Sequence, residues 1–325
     1  MIDKSGLNYL YEKVVRAIDI NDNLFERAKR EYENLGHWIG KEIKEYDSHI
    51  YVQGSFALGT VIRPLSDEDE YDIDLVCELD DSCDLSAKQL KCDLIKPLLE
   101  QYKTRSKELE EKRRCWRVDY NDLNNFHMDV VPAITQKDYI HITDKNEPLN
   151  EYRYIGSNPQ EYVRWFNSKK CVARKRIQEQ YIREHRDSIK SSADIEKINE
   201  NRLKTPLQKA IQILKRHRDI VFAEDENNCK PLSIIITTIA AELYNQEDNI
   251  ADTLINFLSN AKDYIDDHKD DDGYHIDNPV YTGYKKENFA EKWNKHPERA
   301  EAFIQWIDDA KHDLIDEMLN AHSTA

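Results

Sequence analysis

No stretch restricts this chain more than Asp72-Ile73-Asp74-Leu75-Val76-Cys77. Ile73, Leu75 and Cys77 recur at every second position. That period predicts a half-buried strand with both aspartates on its other face. Two carboxylates held side by side repel each other unless a positive charge sits between them. Magnesium, a hard cation bound by a few carboxylates and substrate phosphates, is the usual answer. The acidic run Asp67–Glu70 precedes the pair, so a solvated acidic strand edge would show the same pattern. The rest of the chain has to decide between the two.

Upstream lies Gln53-Gly54-Ser55-Phe56-Ala57-Leu58-Gly59-Thr60, entered from a short strand at His49–Val52. Gly54 and Gly59 allow backbone conformations and close approaches that a side chain would block. The Phe56-Ala57-Leu58 run suggests one helical turn whose amides face an anion. Residues 6–45 carry apolar residues three or four apart, predicting long amphipathic helix with a break at Asn21-Asp22-Asn23 that touches both halves of the molecule. Ser86 to Tyr102 predicts a helix capped by Ser86 and interrupted at Pro97. Cys115–Tyr120 and Phe126–Val131 predict a hairpin, with a further short strand at Tyr139–Thr143.

From Asn158-Pro159 onward the pattern is helical. Thr205-Pro206 opens a helix to Phe222, Pro231–Tyr244 reads as a buried apolar helix, and Glu298–Leu319 closes the chain. Strands in the first half and helices in the second predict an α+β fold of two lobes with a cleft between them. The boundary is expected in the polar 188–201 segment, giving a catalytic lobe over 1–200 and a helical lobe over 201–325.

The net charge of −16 argues against constitutive DNA binding, which draws its affinity from phosphate neutralisation. The six cysteines form no C-x-x-C pair and fit reduced thiols in a cytoplasm. No apolar run approaches a membrane span, and the first residues lack the pattern of a signal peptide. A cytoplasmic protein with no membrane partner is expected.

Phe126-His127-Met128-Asp129-Val130-Val131 alternates like the first strand and could lie beside it, bringing Asp129 to Asp72 and Asp74. Three carboxylates on adjacent strands can hold two magnesium ions, one on a triphosphate and one on an attacking hydroxyl, with Asp129 nearest the nucleophile. Lys215 offers a compact ammonium suited to phosphate charge.

Together, Q-G-S-F-A-L-G-T, D-E-Y-D-I-D-L-V and H-M-D-V-V-P resemble the active site of the polymerase-β-like nucleotidyltransferases. The closest likeness is to the CD-NTases, bacterial relatives of oligoadenylate synthetase and cyclic GMP-AMP synthase. L-K-R-H-R-D, K-P-L-S-I-I-I-T-T and N-P-V-Y with E-N-F-A-E-K-W look like elements of their helical lobe. The resemblance implies Asp72, Asp74 and Asp129 as catalytic metal ligands. It implies Gln53, Gly54 and Ser55 at the nucleotide, with Lys215 and Ser233 reaching it from the helical lobe. It further implies two Mg2+ ions, with Mn2+ as a substitute, and nucleoside triphosphates, ATP or another, as substrates. The product would be a cyclic di- or trinucleotide messenger of CBASS-type anti-phage signalling, in some members under a regulatory protein partner. Rival readings are linear oligonucleotide synthesis, nucleotidyl transfer to RNA or protein, and a catalytically silent nucleotide-binding scaffold. Two features depart from the shortest versions of this site: 17 positions separate Ser55 from Asp72, and Asp67–Glu70 fall in that gap. Arg63 and Arg117 are alternative triphosphate partners, and Tyr281 and Tyr284 are candidates for base stacking. His217 is expected to pack rather than to react.

Overall fold

A computed structural model describes residues 3–66, 71–80, 84–102, 109–120, 126–136, 139–146, 148–184, 203–280 and 287–320. The Asp67–Glu70 run, the 188–201 segment, Tyr281 and Tyr284 lie outside the described residues.

The N-terminal helical pattern divides in two. Helix α1 (Lys4–Ile18) starts at Asp3, whose carboxylate accepts the Gly6 N–H at 2.8 Å. Helix α2 (Asp22–Glu42) starts at Asn21, whose side chain accepts the Leu24 N–H at 2.8 Å. An asparagine that satisfies the next helix's amide ends the previous run, which explains the break. The two helices serve different cores. Leu7, Tyr11, Val15 and Ile18 of α1 are buried among helices, whereas Ala28, Leu35 and Ile39 of α2 are buried against the sheet.

Strand β1 (Ser48–Gln53) runs into the short helix α3 (Gly54–Leu58), and strand β2 (Tyr71–Leu79) follows. Ser86 and Gln89 then cap each other reciprocally, the Ser86 N–H donating to Gln89 Oε1 at 3.0 Å and the Gln89 N–H to Ser86 Oγ at 3.3 Å. A π-helical turn, Gln89–Ile95, precedes α4 (Lys96–Gln101). Pro97 therefore sits inside a continuous helical run, directly after the π-helical turn that interrupts the regular hydrogen-bond ladder where its N–H is missing.

Strands β3 (Leu109–Glu111), β4 (Trp116–Asp119), β5 (Phe126–Gln136), β6 (Tyr139–Asn146) and β7 (Glu151–Ser157) complete a seven-stranded mixed sheet. Its order is β1-β2-β5-β4-β3, with β6 on the far half of β5 and β7 beyond it. Only β2 and β5 run parallel; the other pairs are antiparallel. β3 and β7 lie at the sheet's edges, where polar residues hide the alternation by which the inner strands announce themselves.

The second half is helical: α5 (Pro159–Lys169), α6 (Cys171–Glu184), α7 (Pro206–Val221), α8 (Ser233–Leu243), α9 (Ile250–Asp267), α10 (Glu291–Lys295) and α11 (Pro297–Lys311). A π-helical turn (His312–Asp316) and α12 (Glu317–Asn320) follow. Thr205 and Gln208 form a capping box at the start of α7, with Pro206 in its first turn. Leu214 of α7, Ile236 and Ile239 of α8, Phe257 of α9, and Phe303 and Trp306 of α11 make the helical core. Tyr11 of α1 and Phe166 of α5 join it, so this core takes members from both sides of the 200/201 boundary read from the sequence. His217 is packed, as expected. The Trp306 indole N–H donates to its Nδ1 at 3.0 Å, which leaves the proton on Nε2, 3.1 Å from Asp313. No helix among the described residues is long and apolar enough to cross a membrane.

Candidate active site

The sheet brings the acidic residues together through register. Along β2 and β5, Asp72 stands beside His127 and Asp74 beside Asp129. On the other side of β5, Arg117 of β4 is paired with Asp129. Because side chains alternate, Asp72, Asp74, His127, Asp129 and Arg117 all share one face. The opposite face carries Ile73, Leu75, Met128, Val130 and Val118, all at most 1% exposed in the core shared with α2. Burial of that apolar face fixes the register, since a slip of one residue would drive the aspartates into the core.

Ligand atoms of Asp72, His127 and Asp129 lie within 4.8 Å of one another. His127 pairs with Asp72 through Nε2. Burial alone would raise the Asp72 pKa. The hydrogen bond and charge of His127, with the charges of Arg117 and Lys215, outweigh it and hold this carboxyl below its ordinary value. Asp74 is pushed the other way, to about 7, by burial and then by the charges of Asp72 and Asp129. Its carboxylate lies outside the three-residue cluster, against Gly54. A surplus of oxygen ligands and of negative charge in one place suits a hard divalent cation, so the residues present fit the metal that the sequence implies.

Gly54 has φ +62°, and Gly59, which ends α3, has φ +68°. Both values lie where side chains are disfavoured, so the turn at the mouth of β1 is a glycine structure. Gln53, the last residue of β1, is the register partner of Asp74.

Helix α7 closes the site from the helical side. Gln208, Gln212 and Lys215, spaced four and three apart, line one face of α7 and reach backbone carbonyls of the end of α3 and the segment after it. Gln208 Nε2 donates to Leu58 O at 2.8 Å, Gln212 Nε2 to Val61 O at 2.6 Å and Lys215 Nζ to Thr60 O at 3.0 Å. Lys215 is 7% exposed, and burial, followed by the Arg218 charge, lowers its pKa to about 8.

These elements enclose a cavity of about 390 Å³ whose walls include Gly54, Ser55, Asp72, Asp74, Lys215 and Ser233. Residues singled out in the sequence from both of its halves therefore meet in one pocket. Asp129 stands behind Asp74, its carboxylate held by Arg117.

Arg63 lines the cavity, but its Nε donates to the Asp19 carbonyl at 2.7 Å. Arg117, the other alternative triphosphate partner, is held by carboxylates: strand pairing points it at Asp129. Arg218 and Asp219 of the pocket wall went unnoticed in the sequence. Arg218 donates to Ser233 Oγ at 2.6 Å and to Asp219 Oδ1 at 2.6 Å and 3.0 Å, and Lys230 holds Asp219 at 2.9 Å. His127 was also overlooked, although the alternation that pairs Asp72 with Asp74 places it on the face of Asp129.

Comparison with known proteins agrees with this geometry. The model of the SMODS family, the Second Messenger Oligonucleotide or Dinucleotide Synthetase domain, matches residues 7–170. A c-di-GMP synthase of Roseivirga ehrenbergii is 28% identical across 98% of this chain and 81% of that protein. The CD-NTase CdnG of Bradyrhizobium diazoefficiens, solved in complex with GTP, has a TM-score of 0.71 at 21% identity, covering 96% of this chain and 93% of that one. CdnC of E. coli MS115-1, solved in complex with HORMA-deltaN, has a TM-score of 0.63 at 14% identity, covering 94% and 89%. At these identities the structural likeness establishes the α+β nucleotidyltransferase fold.

Proposed function

The chain belongs to the Second Messenger Oligonucleotide or Dinucleotide Synthetase family, and from that premise we propose that it joins nucleoside triphosphates into a cyclic dinucleotide without a template. One observation carries the reading. Gly54 and Ser55 from the sheet side and Lys215 and Ser233 from the helical side line a single cavity with Asp72 and Asp74. A pocket with cations on one wall and carboxylates on the other suits a triphosphate bound with divalent metal. The c-di-GMP synthase relative and the GTP complex of CdnG support GTP as a substrate, and a trinucleotide ring remains an alternative product.

Asp72, Asp74 and Asp129 would hold two Mg2+ ions, with Mn2+ as a substitute. When bound, such ions lower the pKa of the attacking ribose hydroxyl and neutralise the charge of the leaving pyrophosphate. The protein's own groups supply position. Lys215 offers its ammonium to the phosphates while Thr60 O holds it in place. Ser233 accepts the Arg218 N–H, so its hydroxyl proton is free to be donated to a phosphate oxygen. Fixing donor and acceptor nucleotides against one carboxylate cluster turns an encounter into an intramolecular attack. A second round at the same cluster closes the ring. Service in anti-phage signalling, and control by a protein partner as the CdnC complex with HORMA-deltaN suggests, belong to this proposal.

Incubation with Mg2+ and mixed nucleoside triphosphates, followed by phosphatase, tests it. A phosphatase-resistant small product that is absent from Asp72→Asn supports cyclisation. A digestible ladder means linear oligomers, and nucleotide incorporation only into added RNA or protein means a different acceptor. Robust product from Asp72→Asn would remove the metal cluster from the reaction.

A further inference from the structure

Arg117 stands across from Asp129 in the pairing of β4 with β5 and grips that carboxylate through both oxygens. Its Nε donates to Oδ1 at 2.9 Å and a terminal nitrogen to Oδ2 at 3.0 Å. The same terminal nitrogen lies 3.5 Å from Oδ1 of Asp72. One guanidinium thus spans two of the three carboxylates assigned above to metal. His127 also pairs with Asp72, and the Cys115 thiol also faces Asp129.

We infer that Arg117 is a resident counter-cation, which holds Asp129 and Asp72 together in the ion-free protein and is displaced from Asp129 when a divalent ion enters. The inference rests on the metal-site reading under Proposed function. Its physical basis is competition for lone pairs. A two-pronged pairing uses the in-plane lone pairs of both carboxylate oxygens, the same ones that a metal ion takes. Arginine keeps its charge at every pH where proteins fold, so this pair ends by movement of the side chain and not by loss of a proton. The Arg117 side chain is 26% exposed, which leaves it a route toward solvent. In the meantime it relieves the repulsion among three clustered carboxylates. Metal without nucleotide is consequently held weakly, and full occupancy waits for a triphosphate that carries its own ion.

Titration of Mn2+ into the full chain without nucleotide, read as free Mn2+ by electron paramagnetic resonance, tests the inference. The wild type is expected to bind saturably and Arg117→Gln to bind about fivefold to tenfold more tightly, the worth of a partly exposed ion pair. Arg117→Lys, which keeps the charge but loses the fork, is expected in between. Equal or weaker binding by Arg117→Gln overturns the inference, because the arginine would then be inert or would orient Asp129 as a ligand. If Arg117→Gln does not fold, as judged by circular dichroism, Arg117→Lys decides by the same sign. A wild type that binds no Mn2+ saturably overturns the metal reading itself, a different failure.

Discussion

A β-carbon on Gly54 would lie 2.1 Å from Oδ2 of Asp74. The glycine turn and the second aspartate of the D-x-D strand are thus one unit: the carboxylate fills the place where any other residue would put its side chain. Gly54→Ala should cost about 1–2 kcal/mol for the left-handed backbone alone, and more for the displaced carboxylate. The expected result is a lower denaturation midpoint together with loss of product. Full activity in the alanine variant would show that the position of Asp74 does not matter.

Asp74→Asn should stabilise the metal-free protein while abolishing its product. Below its ordinary value near 3.8 this carboxyl is protonated in both folded and unfolded chains. Between there and about 7 the unfolded chain releases the proton and the folded one keeps it, so the native carboxyl destabilises increasingly as pH rises. The asparagine variant should therefore melt higher above pH 7 in EDTA, by on the order of 1–3 kcal/mol, with the gap closing toward acid. A gap that widens toward acid would reverse the assignment.

Lys215 predicts an alkaline limit on nucleotide binding. Its pKa of about 8 means that the free protein loses this ammonium as pH rises past that value. Binding a phosphate must then recover a proton. Affinity for a fluorescent nucleoside triphosphate should fall roughly threefold to tenfold over the next pH unit. Lys215→Arg, charged throughout, should flatten the profile. An equally steep profile in the arginine variant would place the titrating group elsewhere.

Gln212 of α7 ties the segment after α3 to the end of α1 by donating to Val61 O at 2.6 Å and to Asp19 Oδ1 at 2.9 Å. Gln212→Leu should cost about 1–3 kcal/mol, because it strands a buried carbonyl. The loop that holds Lys215 should loosen as well, weakening nucleotide binding. Denaturant melts with an unchanged slope, combined with nucleotide titration, would check both. An unaffected melt would mean that the contact is dispensable.

Much of this was legible in the chain itself. Alternation in Asp72–Cys77 and Phe126–Val131 marked two inner strands and put their aspartates on one face each. The breaker at Asn21 and the cap at Thr205 set helix ends where the structure has them. These signals are local, since a strand repeats every two residues and a helix every three or four. They establish which neighbours along the chain share a face, and nothing about what that face meets.

What the face meets was left to the tertiary structure. Parallel pairing of β2 with β5 set Asp129 beside Asp74, and antiparallel β4 aimed Arg117 at Asp129. Gln208, Gln212 and Lys215 look like a solvated stripe on α7, yet the carbonyls of Leu58, Val61 and Thr60 cover them. Helices α1 and α2, adjacent in sequence, went to separate cores. The sequence alone determined the carboxylates, the glycine turn and the α+β class. Their convergence into one pocket was decided by burial of the apolar backs of β2 and β5, which fixes register between strands some fifty residues apart and leaves no local trace.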